Sequence, residues 1–122
     1  MMTISRQFKF SASHQLLAMP EGHKCRRLHG HGYVVEIRLQ GELDALGMVA
    51  DFAEIEAAWK PIHAMLDHHH LNDIEGLETP TAERLCLFIL DAVVDALPLL
   101  HSVRVYEGPE SWAEALRWAQ SA

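Results

Sequence analysis

The residues of this chain best suited to chemistry are His14, Cys25, His29 and His31. From Cys25 the sequence reads Cys-Arg-Arg-Leu-His-Gly-His. On a β-strand successive side chains alternate faces, so His29 and His31 point the same way and Gly30 leaves the opposite face bare. His14 ends an alternating run, Phe8, Phe10, Ala12, His14, that predicts a second strand with an imidazole at its end. Pairing the two strands would gather three imidazoles. Three histidines with an open fourth position describe a catalytic zinc site, whereas a fourth protein ligand would describe a closed, structural one. Cys25 precedes His29 by four residues and belongs to the loop entering the strand, where it either closes the metal shell or stands beside a bound substrate. The spacing favours the second. The competing reading is a solvated strand end carrying unrelated histidines.

Three other groups could join this chemistry. Asp67 beside His68 could set that imidazole's tautomer and basicity, as in a catalytic dyad, provided the backbone turns suitably. His residues near a helix C-terminus are also electrostatically comfortable there, which accounts equally well for part of the His68-His69-His70 triplet. His63 and Asp67, at i,i+4 spacing, could alternatively bind a second metal. Glu107 ends the face formed by Val103 and Val105, so either the strand leaves the core there or the carboxylate has a task. Lys24, Arg26 and Arg27 flank Cys25 and form a local positive patch suited to a small anion such as a phosphate ester, or simply a solvated loop.

The elements that must position these groups follow from periodicity. The odd positions from His29 to Leu39 form one face, and Glu36, Arg38 and Gln40 form a wet one, which predicts a long half-buried strand. Gly41 and Gly47 bracket a turn, and Met48-Val49-Ala50 reads as a short strand. Asp51 and Glu54 resemble a capping box before Phe52, Ile55, Trp59, Ile62 and Leu66, an amphipathic helix in which Pro61 implies a kink or restart. A second helix starts near Thr81, after Pro80, with an apolar stripe of Leu85, Phe88, Ile89, Ala92 and Ala96 and a buried Cys86 beside it. A strand follows over Ser102–Glu107. The tail from Ser111 to Ala122 suits either a short helix or an edge strand.

Composition bounds the rest. The 122 residues make one domain, small enough for oligomerisation to help bury its surface. With 49% hydrophobic and 22% charged residues the chain is ordinary globular material, without a membrane-spanning run or a signal peptide, and so is expected in the cytoplasm. Two cysteines fit reduced thiols rather than a disulfide framework. A formal charge of −7 argues against a nucleic-acid partner.

Several motifs together, in order and spacing, resemble the 6-pyruvoyltetrahydropterin synthase family. They are Phe10-Ser-Ala-Ser-His14, Gly22-His-Lys-Cys25, Leu28-His-Gly-His31, Gly47-Met-Val-Ala-Asp51-Phe, Leu66-Asp-His68, Leu71-Asn72, Pro80-Thr81-Ala-Glu83 and Val105-Tyr-Glu107. The three residues between Cys25 and His29 resemble the carboxytetrahydropterin branch of queuosine biosynthesis, while the pyruvoyl-forming branch has a longer gap. The resemblance implies an α+β T-fold, an antiparallel sheet with two helices on one face. Subunits would join sheet edges into a trimeric barrel, with two trimers forming a hexamer. It further implies Zn2+ on His14, His29 and His31, Cys25 as base, Asp67 and His68 as a proton relay, Glu107 gripping a pterin ring, and Thr81 helping to hold it through its backbone. Sites would lie between subunits. The implied reaction converts 7,8-dihydroneopterin triphosphate to 6-carboxy-5,6,7,8-tetrahydropterin, acetaldehyde and triphosphate. Lys24, Arg26 and Arg27 are assigned to the triphosphate from their charge alone. Gly108-Pro109 departs from the hydroxyl residue that many relatives carry after Glu107.

Overall fold

A computed structural model describes residues 1–118. Four strands, β1 (Met2–His14), β2 (His29–Gly41), β3 (Leu100–Gly108) and β4 (Ser111–Leu116), form one antiparallel sheet in the order β1-β2-β3-β4. Two helices, α1 (Phe52–Leu66) and α2 (Ala82–Val93), lie between β2 and β3 in sequence. Helix α1 packs on β1, and α2 packs on β3 and β4. The architecture is α+β, as expected. The tail is an edge strand as far as Leu116, and positions 119–122 lie outside the described residues.

The alternation of β2 decides which face is buried. Tyr33, Val35, Ile37 and Leu39 meet Ile55, Trp59, Ile62 and Leu66 of α1 and Leu85, Ile89 and Val93 of α2 in a single core. Trp59 stacks on Phe8, with ring centroids 5.3 Å apart, and Phe10 stacks on Tyr33 at 4.8 Å. Offset aromatic pairs of this kind add stabilisation beyond the area they bury. They lock the β1–β2 pair under α1, and the register then sets His14 opposite His29 and Ala12 opposite His31.

Helix ends follow their capping chemistry. The Asp51 carboxylate accepts the Ala53 N–H at 2.8 Å, and Thr81 Oγ1 accepts the Arg84 N–H at 3.1 Å. Four expectations need correction. Helix α1 runs unbroken through Pro61. Pro61 and Ala57, whose carbonyl loses its partner, both lie on the exposed side, where water can satisfy it. Met48-Val49-Ala50 forms no strand, because the Asp44 carboxylate accepts the Leu46 and Met48 N–H groups and curls the segment into a turn completed by Gly47 at φ +78°. The buried stripe of α2 is Leu85, Cys86, Ile89, Leu90 and Val93, with Ala92 and Ala96 exposed, since the helix ends at Val93 and Leu97 turns inward instead. Glu36 is buried rather than wet: β2 is a central strand, and Glu36 stands between Gln7 and Arg104 on its neighbours.

The face of the sheet away from the helices carries a charge network. Glu114 Oε1 accepts from Ser102 Oγ at 2.7 Å and Arg38 Nη1 at 3.1 Å, with Arg104 Nε 3.2 Å away as an ion pair outside hydrogen-bond angle. Burial alone would raise the Glu114 pKa, but the Ser102 hydroxyl and the Arg104 and Arg38 charges outweigh it and hold the carboxyl below its ordinary value. A depressed folded pKa contributes stability above the unfolded value, near 4.5, and that contribution disappears as pH falls. Glu114→Gln is therefore expected to cost about 1–3 kcal/mol at pH 7 by chemical denaturation. The gap between variant and wild type should narrow as pH falls below that value.

Among the described residues no helix is long and apolar enough to cross a membrane.

Candidate active site

His14 and His29 are cross-strand partners at the end of the β1–β2 ribbon, and His31 lies two register pairs inward on the same face. The alternation that buries Tyr33 and Val35 thus carries imidazoles where the core runs out. The candidate ligand atoms of the three lie within 4.8 Å of one another, and their rings meet edge to face with centroids 4.4 to 5.0 Å apart. His14 is buried, and the other two are half-buried. Burial lowers the His14 pKa, favouring the neutral, ligating imidazole.

Backbone carbonyls set the tautomers. His14 Nδ1–H donates to the Pro80 carbonyl at 2.8 Å, and His29 Nδ1–H donates to the Arg27 carbonyl at 2.6 Å. Each ring then has its lone pair on Nε2, and these two Nε2 atoms face each other 2.8 Å apart. Two convergent lone pairs repel unless they share a cation. The donor set therefore fits a divalent metal bound by neutral imidazoles, with His31 as the third ligand.

Cys25 sits half-buried in a single 3-10 turn, Lys24–Arg26. Its N–H donates to His23 Nδ1 at 3.0 Å, and its carbonyl accepts the Leu16 N–H at 2.8 Å. The thiol is not part of the three-histidine group. Of the basic residues beside it, Arg26 uses Nη1 on the carbonyls of Leu17 and Met19, bracing the loop, while Lys24 and Arg27 are exposed.

Asp67 and His68 follow α1 and clamp the edge of β1. Asp67 Oδ1 accepts the Ser11 N–H at 2.9 Å, and the His68 N–H donates to the Ser11 carbonyl at 2.6 Å. His68 takes φ +58°, a conformation a residue with a Cβ seldom adopts, and this turn lets its Nδ1 reach back to Asp67 Oδ2 at 2.8 Å. The Ser11 N–H, then His68, hold the Asp67 carboxyl below its usual pKa. His63 Nε2 lies 3.7 Å from the same oxygen as an ion pair. No ligand group of three or more His, Cys, Asp or Glu forms there among the described residues. His68 itself is largely exposed and lines a cleft with Ser13, Gly30 and His70 that touches the histidine group at His31 alone.

Glu107 comes to the same place from β3, its Oε2 3.9 Å from His31 Nε2. Thr81 caps α2 directly after the carbonyl that holds His14; its N–H donates to the Thr79 carbonyl, and its own carbonyl accepts from Leu85. Three contributors escaped the sequence reading. His23 was legible as a polar cap two residues before Cys25. Tyr33, read only as core, brings its hydroxyl to 3.3 Å from His14 Nδ1, and burial raises its phenol pKa so that it stays neutral. The Pro80 carbonyl left no trace in side-chain spacing.

Residues 3–117 match the family described as 6-pyruvoyl tetrahydropterin synthase. The chain is 44% identical over 114 residues to a Synechocystis protein named 6-carboxy-5,6,7,8-tetrahydropterin synthase, covering 88% of this chain and 87% of that one. It is 35% identical to the human protein named 6-pyruvoyl tetrahydrobiopterin synthase, over 85% of this chain and 83% of that one. The structure superposes on Caenorhabditis elegans 6-pyruvoyl tetrahydropterin synthase with a TM-score of 0.85 at 26% identity, covering 94% of each chain. Sequence match, fold and the histidine-lined end of the sheet agree, and this chain belongs to the 6-pyruvoyl tetrahydropterin synthase family.

Proposed function

We propose that the protein is a zinc-dependent lyase that converts 7,8-dihydroneopterin triphosphate and water to 6-carboxy-5,6,7,8-tetrahydropterin, acetaldehyde and triphosphate, the reaction that serves queuosine biosynthesis. The observation that carries this reading is the convergence of the His14 and His29 Nε2 atoms, with His31 beside them, next to the Glu107 carboxylate. The Synechocystis relative's name supports the carboxy product.

His14, His29 and His31 would hold the zinc, which when bound supplies Lewis acidity toward the substrate's side-chain oxygens. Cys25, as thiolate, takes a proton from the side-chain carbon. His68 removes or returns protons on the opposite face, its Nδ1–H held by Asp67 so that Nε2 is the working atom. Glu107 accepts two hydrogen bonds from the pterin's amino and ring N–H groups, which orients the ring and selects for it. The Thr81 carbonyl keeps a second lone pair free for the ring. Lys24 and Arg27 meet the triphosphate, and Arg26 shapes their loop while its remaining N–H groups add charge.

Homo-oligomerisation completes the site in this reading. The segment from Asp67 to His70 covers β1 from Ser11 to Ser13, and β1 from Met2 to Lys9 and the outer side of β4 remain as sheet edges. Joining these edges gives a trimer, and stacking trimers a hexamer. The exposure of His68 supports its service to a neighbouring subunit's substrate.

A second reading stops at triphosphate elimination and yields a pyruvoyl product, as the human relative's name suggests. A third makes the metal a structural staple closed by Cys25, which the separation of the thiol from the histidine group disfavours. Acetaldehyde distinguishes the first two. Incubation with 7,8-dihydroneopterin triphosphate is expected to release acetaldehyde and 6-carboxytetrahydropterin in equal amounts. Triphosphate release without acetaldehyde would establish the pyruvoyl reaction instead.

A further inference from the structure

We infer that Asn72 is a positioning residue that holds His14 and the Cys25 turn in one arrangement; this rests on the metal-centre reading above. The segment after α1 runs alongside the end of β1 and bonds to alternate residues. Ser11 is held by Asp67 and His68, and the Ser13 N–H donates to the His69 carbonyl at 3.1 Å. At the next step the segment turns into a 3-10 helix, Leu71–Asp73, and its backbone no longer follows the strand. A side chain takes over. Asn72 Oδ1 accepts the Gln15 N–H at 2.9 Å, and Asn72 Nδ2 donates to the Gln15 carbonyl at 2.8 Å. A carboxamide alone offers an acceptor and a donor in this arrangement, and the pairing fixes which end is oxygen. Leu71, fully buried, anchors the turn that carries it.

Gln15 is the residue through which both halves of the site are tied. It directly follows His14, so the two bonds from Asn72 fix the peptide next to that ligand, while the Pro80 carbonyl fixes its ring. Gln15 Nε2 reaches the Arg26 carbonyl at 3.3 Å, and the next residue, Leu16, donates to the Cys25 carbonyl at 2.8 Å. Asn72 Nδ2 also lies 3.5 Å from the Glu78 carbonyl, at the start of the segment leading to Pro80. One carboxamide therefore joins the strand bearing the ligand, the approach to its carbonyl partner and, through Gln15, the turn bearing the thiol. Partners of this kind typically govern metal affinity by about 10- to 100-fold.

The test compares Asn72→Ala and Asn72→Asp with wild type in three measurements: the zinc dissociation constant by chelator competition, the visible spectrum of the cobalt-substituted protein, and the rate of Cys25 alkylation by iodoacetamide. Asn72→Asp keeps the acceptor for the Gln15 N–H but sets an oxygen against the Gln15 carbonyl. Both variants are expected to bind zinc about 10- to 100-fold more weakly, with altered cobalt absorption and a changed alkylation rate. Val93→Ala, buried at the far end of α2, serves as a variant of lowered stability with an untouched site. If Asn72→Ala does not fold, the isosteric Asn72→Asp carries the comparison. Wild-type zinc affinity and cobalt spectrum in Asn72→Asp, or losses no larger than in Val93→Ala, would overturn the inference alone. Failure of the wild-type chain to bind zinc or cobalt would overturn the metal-centre reading and the inference with it.

Discussion

Replacing Cys25 with Ala is expected to lower turnover by about 10²- to 10⁴-fold, the range that a positioned proton-transfer group contributes, while zinc stays bound at one ion per chain. The separation of effects follows from the geometry. The three imidazoles form a ligand group without the thiol, and the Cys25 turn is held by its backbone: its N–H to His23, its carbonyl to Leu16. Removing the sulfur therefore leaves the turn and the metal group intact. Cys25→Ser should sit close to Cys25→Ala, because a hydroxyl has the shape but remains protonated where a thiol ionises. Zinc analysis and steady-state kinetics on the same preparations check both halves. Loss of metal along with turnover would make Cys25 a fourth ligand and the site a closed, structural one.

The second large effect belongs to His29. His14 is buried and holds Pro80, so its replacement would disturb packing as well as ligation, whereas half-buried His29 donates only to the Arg27 carbonyl in its own approach loop. His29→Ala removes one of the two convergent lone pairs and should weaken zinc binding by more than the roughly 100-fold that loss of a supporting partner costs. Turnover should fall to background. Stability gives an independent sign. A ligand bound only by the folded state adds RT ln(1 + [L]/Kd), about 2.7 kcal/mol at 100 times Kd, so zinc should raise the wild-type melting temperature and leave that of His29→Ala unchanged. A zinc-dependent rise of equal size in both proteins would place the ion elsewhere.

The roles argued for Asp67 and His68 show where a sequence reading needs the backbone. Adjacent residues hydrogen-bond each other only at unusual angles, and φ +58° at His68 meets that requirement. Nothing in the order Leu-Asp-His dictates such an angle. The backbone partners of Ser11 impose it, and Ser11 lies 56 residues away from Asp67. Pro61 teaches the converse: its ring suggested a break, yet its place on the exposed side of α1 leaves the helix intact.

What the chain's order alone determined were the properties that repeat locally: the two-residue period that puts His29, His31 and Tyr33 on one face, the cap Asp51, the start of α2 near Thr81, and the helical period of Ile55, Trp59, Ile62 and Leu66. Those periods come from backbone geometry, which each short segment carries within itself. The tertiary structure decided which nitrogen each imidazole presents, that Glu107 arrives beside His31, and that Asn72 grips Gln15. Each of these joins groups distant in sequence or uses a main-chain carbonyl common to every residue type. Only the packed fold selects which carbonyl, of all those in the chain, a ring will meet.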